Sequence, residues 1–452
     1  MTETDTTAGH QSPGHLLRVL GLGFGVAIGV GSMIGGGILR TPGLVADHVP
    51  QPTLILLLWT LGGLHALLGA NIVAEVMTSL PRSGGLYVAS RRAFGDFGGL
   101  VVGWSDWLFS TATSAGLTIA ASEFLALIFP VLAGHKTAVA VSILLVLIGL
   151  NWAGVREGSI AQQLTSGLKG LLLIVLISTV FFLVPSAPVQ VHGPSMGASL
   201  IMSAAVAYQF VFTAYNGWQY PSYFSEEDPR PAKNMPRALL LSILAVAAVY
   251  TTMNVALLHA LPIEQMRHAE LPVATALGNL VGPAAKLVVA VIATVSVISC
   301  LNGVVMLMPR ILYGLGRDGL FPSFSTRVNR GGTPHLALAV SAVVAILLTL
   351  SGSYEKVFLI SGVFGVFILF MTDISLFMLR RREPGLARPY RALGYPVLPA
   401  LVLLIDGTLL VAFLAADPKS GFGVVAAAAL SLPISLWLKR RRSGQAAPAS
   451  SL

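Results

Sequence analysis

The sequence predicts an all-α polytopic membrane protein with about twelve transmembrane helices, on three observations. Hydrophobic residues make up 55% of the 452-residue chain and charged residues only 10%, whereas about a quarter of a soluble domain is charged. Mean hydropathy is +0.79. The apolar residues also fall in runs of about 17–25, the length at which a helix crosses a ~30 Å hydrocarbon core.

The runs lie near 18–42, 53–79, 97–130, 136–152, 160–184, 199–223, 237–261, 283–314, 335–352, 357–379, 395–416 and 421–438. Residues 1–17 are polar and lack a basic n-region followed by a cleavage site, so they read as a cytoplasmic tail. The second run closes before Pro81-Arg82, and Arg91 and Arg92 stand ahead of the third. Lys136 opens the fourth, Arg156 separates it from the fifth, and Arg230, Lys233 and Arg237 lead into the seventh. The stretch 264–280, with Pro272 and Gly278, predicts a short external helix and loop. Arg310 and Arg317 mark the inner end of the eighth run, and Arg327 and Arg330 precede the ninth. Arg380, Arg381, Arg382, Arg388 and Arg391 separate the tenth from the eleventh, and a basic tail, 439–452, follows the twelfth. The third and eighth runs exceed one span, which predicts strongly tilted helices.

The basic residues orient the chain. With the amino terminus inside, 21 Lys and Arg fall on cytoplasmic segments and 6 on outer ones (Arg40, Lys136, Arg267, Lys286, Lys356 and Lys419), with Lys169 left inside the fifth span. Both termini are then cytoplasmic. The net charge of +9 is a topology signal and argues for no nucleic-acid partner. Cys300, the single cysteine, excludes an intramolecular disulfide and a thiolate metal cluster, and reads as a small buried hydrophobe.

Two spans are interrupted by glycine at corresponding places: Val30-Gly31-Ser32-Met33-Ile34-Gly35-Gly36-Gly37-Ile38 in the first, and Phe212-Thr213-Ala214-Tyr215-Asn216-Gly217-Trp218-Gln219 in the sixth. Glycine costs roughly 1 kcal/mol per helix position, and bare backbone in hydrocarbon costs several kcal/mol per unsatisfied group. Such breaks survive where they line a cavity or are buried in protein, and a matching pair points to the substrate site of a secondary transporter. The amides of Gly35, Gly36 and Gly37 would open the outer half-helix, where a carboxylate is favoured. Carbonyls near Ser32 and Met33 would suit an ammonium. The bland alternative is a glycine packing face, since Gly29 to Gly37 also keeps small-residue spacing.

These segments carry a resemblance. Gly-Ser-Met-Ile-Gly-Gly-Gly-Ile resembles the first-helix signature of the amino acid–polyamine–organocation superfamily. Ala214-Tyr215-Asn216-Gly217-Trp218, with Ser225-Glu226-Glu227-Asp228-Pro229 and Asn234-Met235-Pro236-Arg237-Ala238, is similar to the sixth helix and following loop of its amino acid permeases. Ala74-Glu75, Leu80-Pro81-Arg82-Ser83-Gly84-Gly85-Leu86-Tyr87 and Arg92-Ala93-Phe94-Gly95 resemble the second-to-third helix loop. Asn302-Gly303, Arg310-Ile311-Leu312-Tyr313 and Arg317-Asp318-Gly319-Leu320-Phe321-Pro322 resemble the eighth helix and its exit.

The resemblance implies a LeuT-type 5+5 inverted repeat with discontinuous helices 1 and 6. The repeats would be 18–184 and 199–379, with 395–438 peripheral. It also implies an α-amino acid at mid-membrane, its carboxylate on Gly35, Gly36 and Gly37 beside Ile34. Its amine would sit on carbonyls of Met33, Thr213, Ala214 and Asn216, with Trp218 as a site wall. Three positions depart from the family pattern: Gly36 replaces a serine, Thr213 stands where a gating aromatic is usual, and Leu39 replaces a phenylalanine. Lys169 resembles the fifth-helix lysine of sodium-independent members, whose ammonium stands in for a bound cation and braces the unwound first helix against the eighth. Its bland alternative is snorkelling to the cytoplasmic face.

Of the other charges in spans (Glu75, Asp106, Glu123, Asp373 and Asp406), Glu75 and Asp373 read as solvated or loop-pairing carboxylates near cytoplasmic ends, and Glu123 as a candidate for the outer vestibule. His65 and His259 read as satisfied core or interfacial histidines. No phosphate-cradling loop, catalytic dyad, metal site or cofactor site is evident, and no obligatory protein partner. The expectation is a sodium-independent, proton-coupled secondary amino acid transporter of the plasma membrane favouring neutral substrates, because Asn216 offers an amide where cationic-substrate permeases often place an aspartate. Lys169 would carry the proton coupling. The alternatives are an amino acid exchanger and a polyamine or cationic amino acid antiporter.

Overall fold

The computed structural model describes residues 16–35, 37–187, 198–351, 354–416 and Ala429. Among these there are helices and no strands. The first span is two helices, α1 (Leu22–Met33) and α2 (Gly37–His48), whose axes differ by 44°. They are followed by α3 (Pro52–Ser79), α4 (Tyr87–Ile128), α5 (Lys136–Ala153), α6 (Val155–Leu183) and α7 (Ala198–Tyr215). After the second break come α8 (Pro231–Ala260), α9 (Ile263–His268), α10 (Pro272–Val281), α11 (Ala284–Arg317), α12 (His335–Leu350), α13 (Tyr354–Arg382) and α14 (Val397–Ala416). Eight of the described helices are long and apolar enough to cross a membrane, or nine with the bent pair counted as one span. The twelfth run, 421–438, and both tails lie outside the described residues.

Sequence chemistry sets several boundaries. Prolines 52, 231 and 272 open α3, α8 and α10 at the position where the missing N–H costs nothing. In α4, Gly95 has φ +79° and separates a short leading helix from the membrane run, which begins after it and by itself still exceeds one span. The predicted external helix and loop resolves into two short helices, α9 and α10. Exposed apolar residues such as Val146, Leu164, Leu171, Ile174 and Phe182 lie along α5 and α6, an outer surface suited to lipid.

Packing divides the helices into two sets. In the first, α3 packs on α7 and α8, α1 on α8, and α2 on α7. In the second, α4 packs on α5, α11, α12 and α13, and α13 packs on α14. The sets meet where α6 touches α1 and α8 on one side and α11 on the other, where α1 packs on α11, and where α3 packs on α13 and α14.

The loop motifs fold into ion pairs at one end of this assembly. Glu226 accepts from Arg317 at 2.8 Å and from the Ser83 amide at 2.8 Å. Asp318 pairs with Arg82 at 3.0 Å and Arg91 at 2.9 Å, and accepts from the Tyr87 hydroxyl at 3.1 Å. Buried Glu227 takes a two-pronged contact from buried Arg310, which also stacks on Phe224. Burial pushes the Glu227 carboxyl above the usual carboxylate range and Arg310 opposes that shift. Glu75 is held by Arg380, Arg388 and the Ala392 amide, the loop-pairing role read for it from sequence. Arg40 and Arg267, from the outer set, instead meet Glu270, Glu264 and Asp47.

Candidate functional site

The two glycine breaks touch. Gly217 has φ +111°, and a Cβ placed on it would lie 2.9 Å from Ser32 Cβ and 3.0 Å from the Ser32 carbonyl carbon. Only glycine allows both that backbone conformation and that approach. Helix α7 stops at Tyr215, so Thr213 and Ala214 are its last turn and Asn216 is the first residue beyond it. No long helix resumes there: turns lead into a short 3-10 helix, Tyr220–Phe224. Gln219 closes the turn by accepting from the Gly217 amide at 3.1 Å and reaching Asn216 Oδ1 at 3.4 Å.

Side chains from three other helices satisfy the backbone freed by the first break. Lys169 of α6 is fully buried, and its ammonium donates to the carbonyls of Gly31 and Ile34, both at 2.6 Å. That is how a cation would be held there, with two backbone oxygens in the coordination shell. The snorkelling alternative therefore fails: the side chain points into the break. Contact with the eighth span is made by Cys300 of α11, whose thiol donates to the Ser32 carbonyl at 3.1 Å. Cys300 is buried, as read from sequence, and it also serves as a donor.

Tyr250 of α8 joins the two breaks. Its hydroxyl lies 2.7 Å from the Met33 carbonyl and 3.0 Å from the Ala214 carbonyl, two of the oxygens read as amine acceptors. One hydrogen serves two oxygens; the Ala214 carbonyl keeps lone-pair capacity for a further donor, while the Met33 carbonyl also accepts from the Gly35 amide at 2.9 Å. Nothing local in Val249-Tyr250-Thr251 signals this role; the partners stand 217 and 36 residues away.

The glycine run packs as well as unwinds. Gly25 and Gly29 lie against Ala238 and Ser242 of α8, and Gly31 against Gln162 and Ser166 of α6. Ser166 also donates to the Ala27 carbonyl at 2.8 Å. Gln162 continues into Asn302 of α11 at 2.9 Å, and Asn302 accepts from Asn151 of α5 at 2.9 Å.

The remaining predicted residues are placed as follows. Gly35 donates its amide back to the Met33 carbonyl at 2.9 Å, so in this conformation that donor is engaged within the break. Gly36 lies outside the described residues. Gly37 is exposed and opens α2. Ile34 is buried, with its carbonyl on Lys169. Thr213 turns its hydroxyl to Gln209 of its own helix at 2.9 Å. Trp218 is buried against Gly69 of α3. Phe212, one step from Thr213, faces His65 and Phe413.

A cavity of about 10 Å³ adjoins the second break, lined by Asn216 and Trp218 together with His65, Asp373 and Asp406. It has room for about one water molecule. The reading of Asp373 as a solvated or loop-pairing carboxylate is corrected here: it is 3% exposed and lines this interior cavity together with Asp406. Asp106, also buried, accepts from Tyr223 at 2.8 Å.

Known proteins match this chain along nearly its whole length. The family model described as amino acid permease matches residues 16–434. The serine/threonine exchanger SteT of Bacillus subtilis is 27% identical, over 96% of this chain and 100% of that protein. The Asc-type amino acid transporter 1 of Mus musculus is 29% identical over 91% of this chain and 79% of its own length. The b(0,+)-type amino acid transporter 1 of Homo sapiens is 27% identical over 89% and 84%.

Proposed function

The chain belongs to the amino acid permease family, and within it we propose a sodium-independent exchanger of small neutral amino acids whose substrate lies across the two touching breaks. It is a multi-span membrane transporter and not an enzyme. One observation carries the finer reading: the Lys169 ammonium on the Gly31 and Ile34 carbonyls, where a sodium ion would otherwise have to compensate the unwound backbone. A lysine tethered in the chain supplies that charge in every state, so no sodium gradient enters the cycle.

The substrate carboxylate is assigned to the amides of Gly36 and Gly37, with Gly35 joining once its turn to Met33 opens. The amine is assigned to the Ala214 carbonyl beside Asn216 and to the Met33 carbonyl once the Gly35 amide has left it, and Trp218 bounds the side chain. Asn216 has no full charge for a guanidinium or second ammonium, which favours neutral substrates. The names of the relatives agree in kind: one exchanges serine and threonine, and another is called an Asc-type amino acid transporter. Exchange is preferred to proton coupling through Lys169 because the two carbonyl contacts give that ammonium a structural task. The inverted-repeat division at 18–184 and 199–379 is supported by reciprocal packing, α1 on α8 and α7 on α3. Cytoplasmic termini in the plasma membrane follow from the 21-to-6 distribution of basic residues.

The test is uptake of labelled L-serine by purified protein in sodium-free vesicles, with competition by unlabelled compounds. Alanine and threonine are expected to compete, and arginine and putrescine to compete poorly. Gly37→Leu is expected to insert and fold but lose uptake. Equal uptake by Gly37→Leu would remove the carboxylate site, and strong competition by putrescine would favour a polyamine carrier.

A further inference from the structure

Outside the breaks and the ion-paired loops, four side chains from four helices form a buried polar chain. The Tyr208 hydroxyl of α7 lies 2.9 Å from His65 Nδ1 of α3. On the other ring edge, His65 Nε2 lies 3.1 Å from Asp406 Oδ1 of α14. The Asp373 carboxyl of α13 lines the same small cavity as His65 and Asp406. His65, Asp373 and Asp406 are 7%, 3% and 2% exposed. His65 Nε2 and Asp406 Oδ1 make an ion-pair contact that is not a hydrogen bond, Asp373 Oδ2 likewise has no hydrogen-bond partner, and among the described residues no lysine or arginine pairs with either carboxyl.

Two carboxylates buried around one small cavity repel, and a single imidazole cannot neutralise both, so this dry interior favours a proton held on the carboxyl pair. The cluster is neutral only when it holds enough protons to balance both carboxyls. Losing one leaves a net negative charge, and an uncompensated buried charge costs several kcal/mol. Proton occupancy is thereby tied to how closely these four helices pack.

Among the described residues, several other titratable groups on the helices packed around the cluster are engaged elsewhere. Glu75 of α3 and Arg380 of α13 hold each other, Asp106 of α4 accepts from Tyr223, and Tyr250 of α8 spans the breaks. Tyr215 of α7 donates to the Trp59 carbonyl.

The position of the cluster gives it a consequence. Helices α3 and α7 belong to one packing set, α13 and α14 to the other, so the chain of side chains crosses the seam between them. The same small cavity that exposes His65, Asp373 and Asp406 is walled by Asn216 and Trp218 of the second break.

We propose that His65, Asp373 and Asp406 form a proton-holding latch across this seam, closed when protonated and loosened when a proton leaves, so that the rate of translocation depends on pH through these residues. The proposal rests on the transporter reading for its effect on rate, but the proton site itself does not. Two measurements separate the two. Infrared spectroscopy of the purified protein at neutral pH is expected to show a protonated-carboxyl band that Asp373→Asn and Asp406→Asn each remove. In vesicles, serine exchange by the wild type is expected to change about tenfold between about pH 5.5 and about pH 8.5, and by less than about twofold in either variant and in His65→Gln. Variants that keep the wild-type pH profile, or a band indifferent to both substitutions, would overturn the latch. Wild-type vesicles that move no amino acid, with the band present and removed as expected, would overturn the transporter reading and leave the proton site standing. The wild-type band needs no variant to fold, so its absence alone would refute the held proton.

Discussion

Replacing Lys169 by methionine removes the ammonium and keeps the side-chain length. Its two hydrogen bonds are charge-assisted and short, at 2.6 Å. Each such bond contributes about 1.5–3 kcal/mol, so about 3–6 kcal/mol is lost. Against this, the variant no longer buries a charge, a burial that costs several kcal/mol. The two effects oppose each other, and global stability is expected to stay within a few kcal/mol of the wild type. The local effect does not cancel. The Gly31 and Ile34 carbonyls lose their donor, each at a cost of about 1–3 kcal/mol while it stays unsatisfied. A shift of about 3 kcal/mol away from the binding-competent backbone lowers apparent affinity about 10²-fold. The assay pairs thermal unfolding of the detergent-purified variant with serine exchange in vesicles. A variant that melts near the wild type and exchanges poorly is expected. Wild-type exchange by folded Lys169→Met would refute the brace.

Three further substitutions probe the same architecture. Gly217→Ala forces a side chain into a φ of +111° and onto Ser32, with about 1–3 kcal/mol of strain; exchange should fall sharply while expression persists, and unchanged kinetics would deny that the breaks touch. Tyr250→Phe leaves the Met33 and Ala214 carbonyls without their shared hydroxyl, and a loss of about 1–3 kcal/mol should raise the serine concentration giving half-maximal exchange by about tenfold. Glu227→Gln strands buried Arg310, a cost of about 3–5 kcal/mol, and should lower the unfolding temperature before it alters substrate preference; a variant as stable as the wild type would deny the buried pair.

What could be read from the chain follows from where the information lies. Apolar runs gave the spans because crossing hydrocarbon imposes a length on each helix separately. The breaks were legible because glycine and asparagine inside such runs have a local cost. Lys169 was legible because a charge at that depth needs a reason. Tyr250 and Cys300 were not, because a hydroxyl or thiol in a buried helix is unremarkable until its distant carbonyl partner is known. Asp373 was misread for a related reason: its place near Arg380 suggested solvent, while its actual neighbour, Asp406, comes from the next span. Gly95 shows the converse, since a glycine quoted only as part of a loop motif splits α4 at φ +79°.

The most direct test of the account is serine flux without sodium. Vesicles holding the wild-type protein are preloaded with unlabelled serine or left empty, sodium is replaced by choline throughout, and labelled serine is added outside. Rapid uptake into preloaded vesicles and little into empty ones is the predicted result, unchanged when sodium is restored. Accumulation in empty vesicles driven by an inward sodium gradient would contradict it, because Lys169 would then not be standing in the place of the ion.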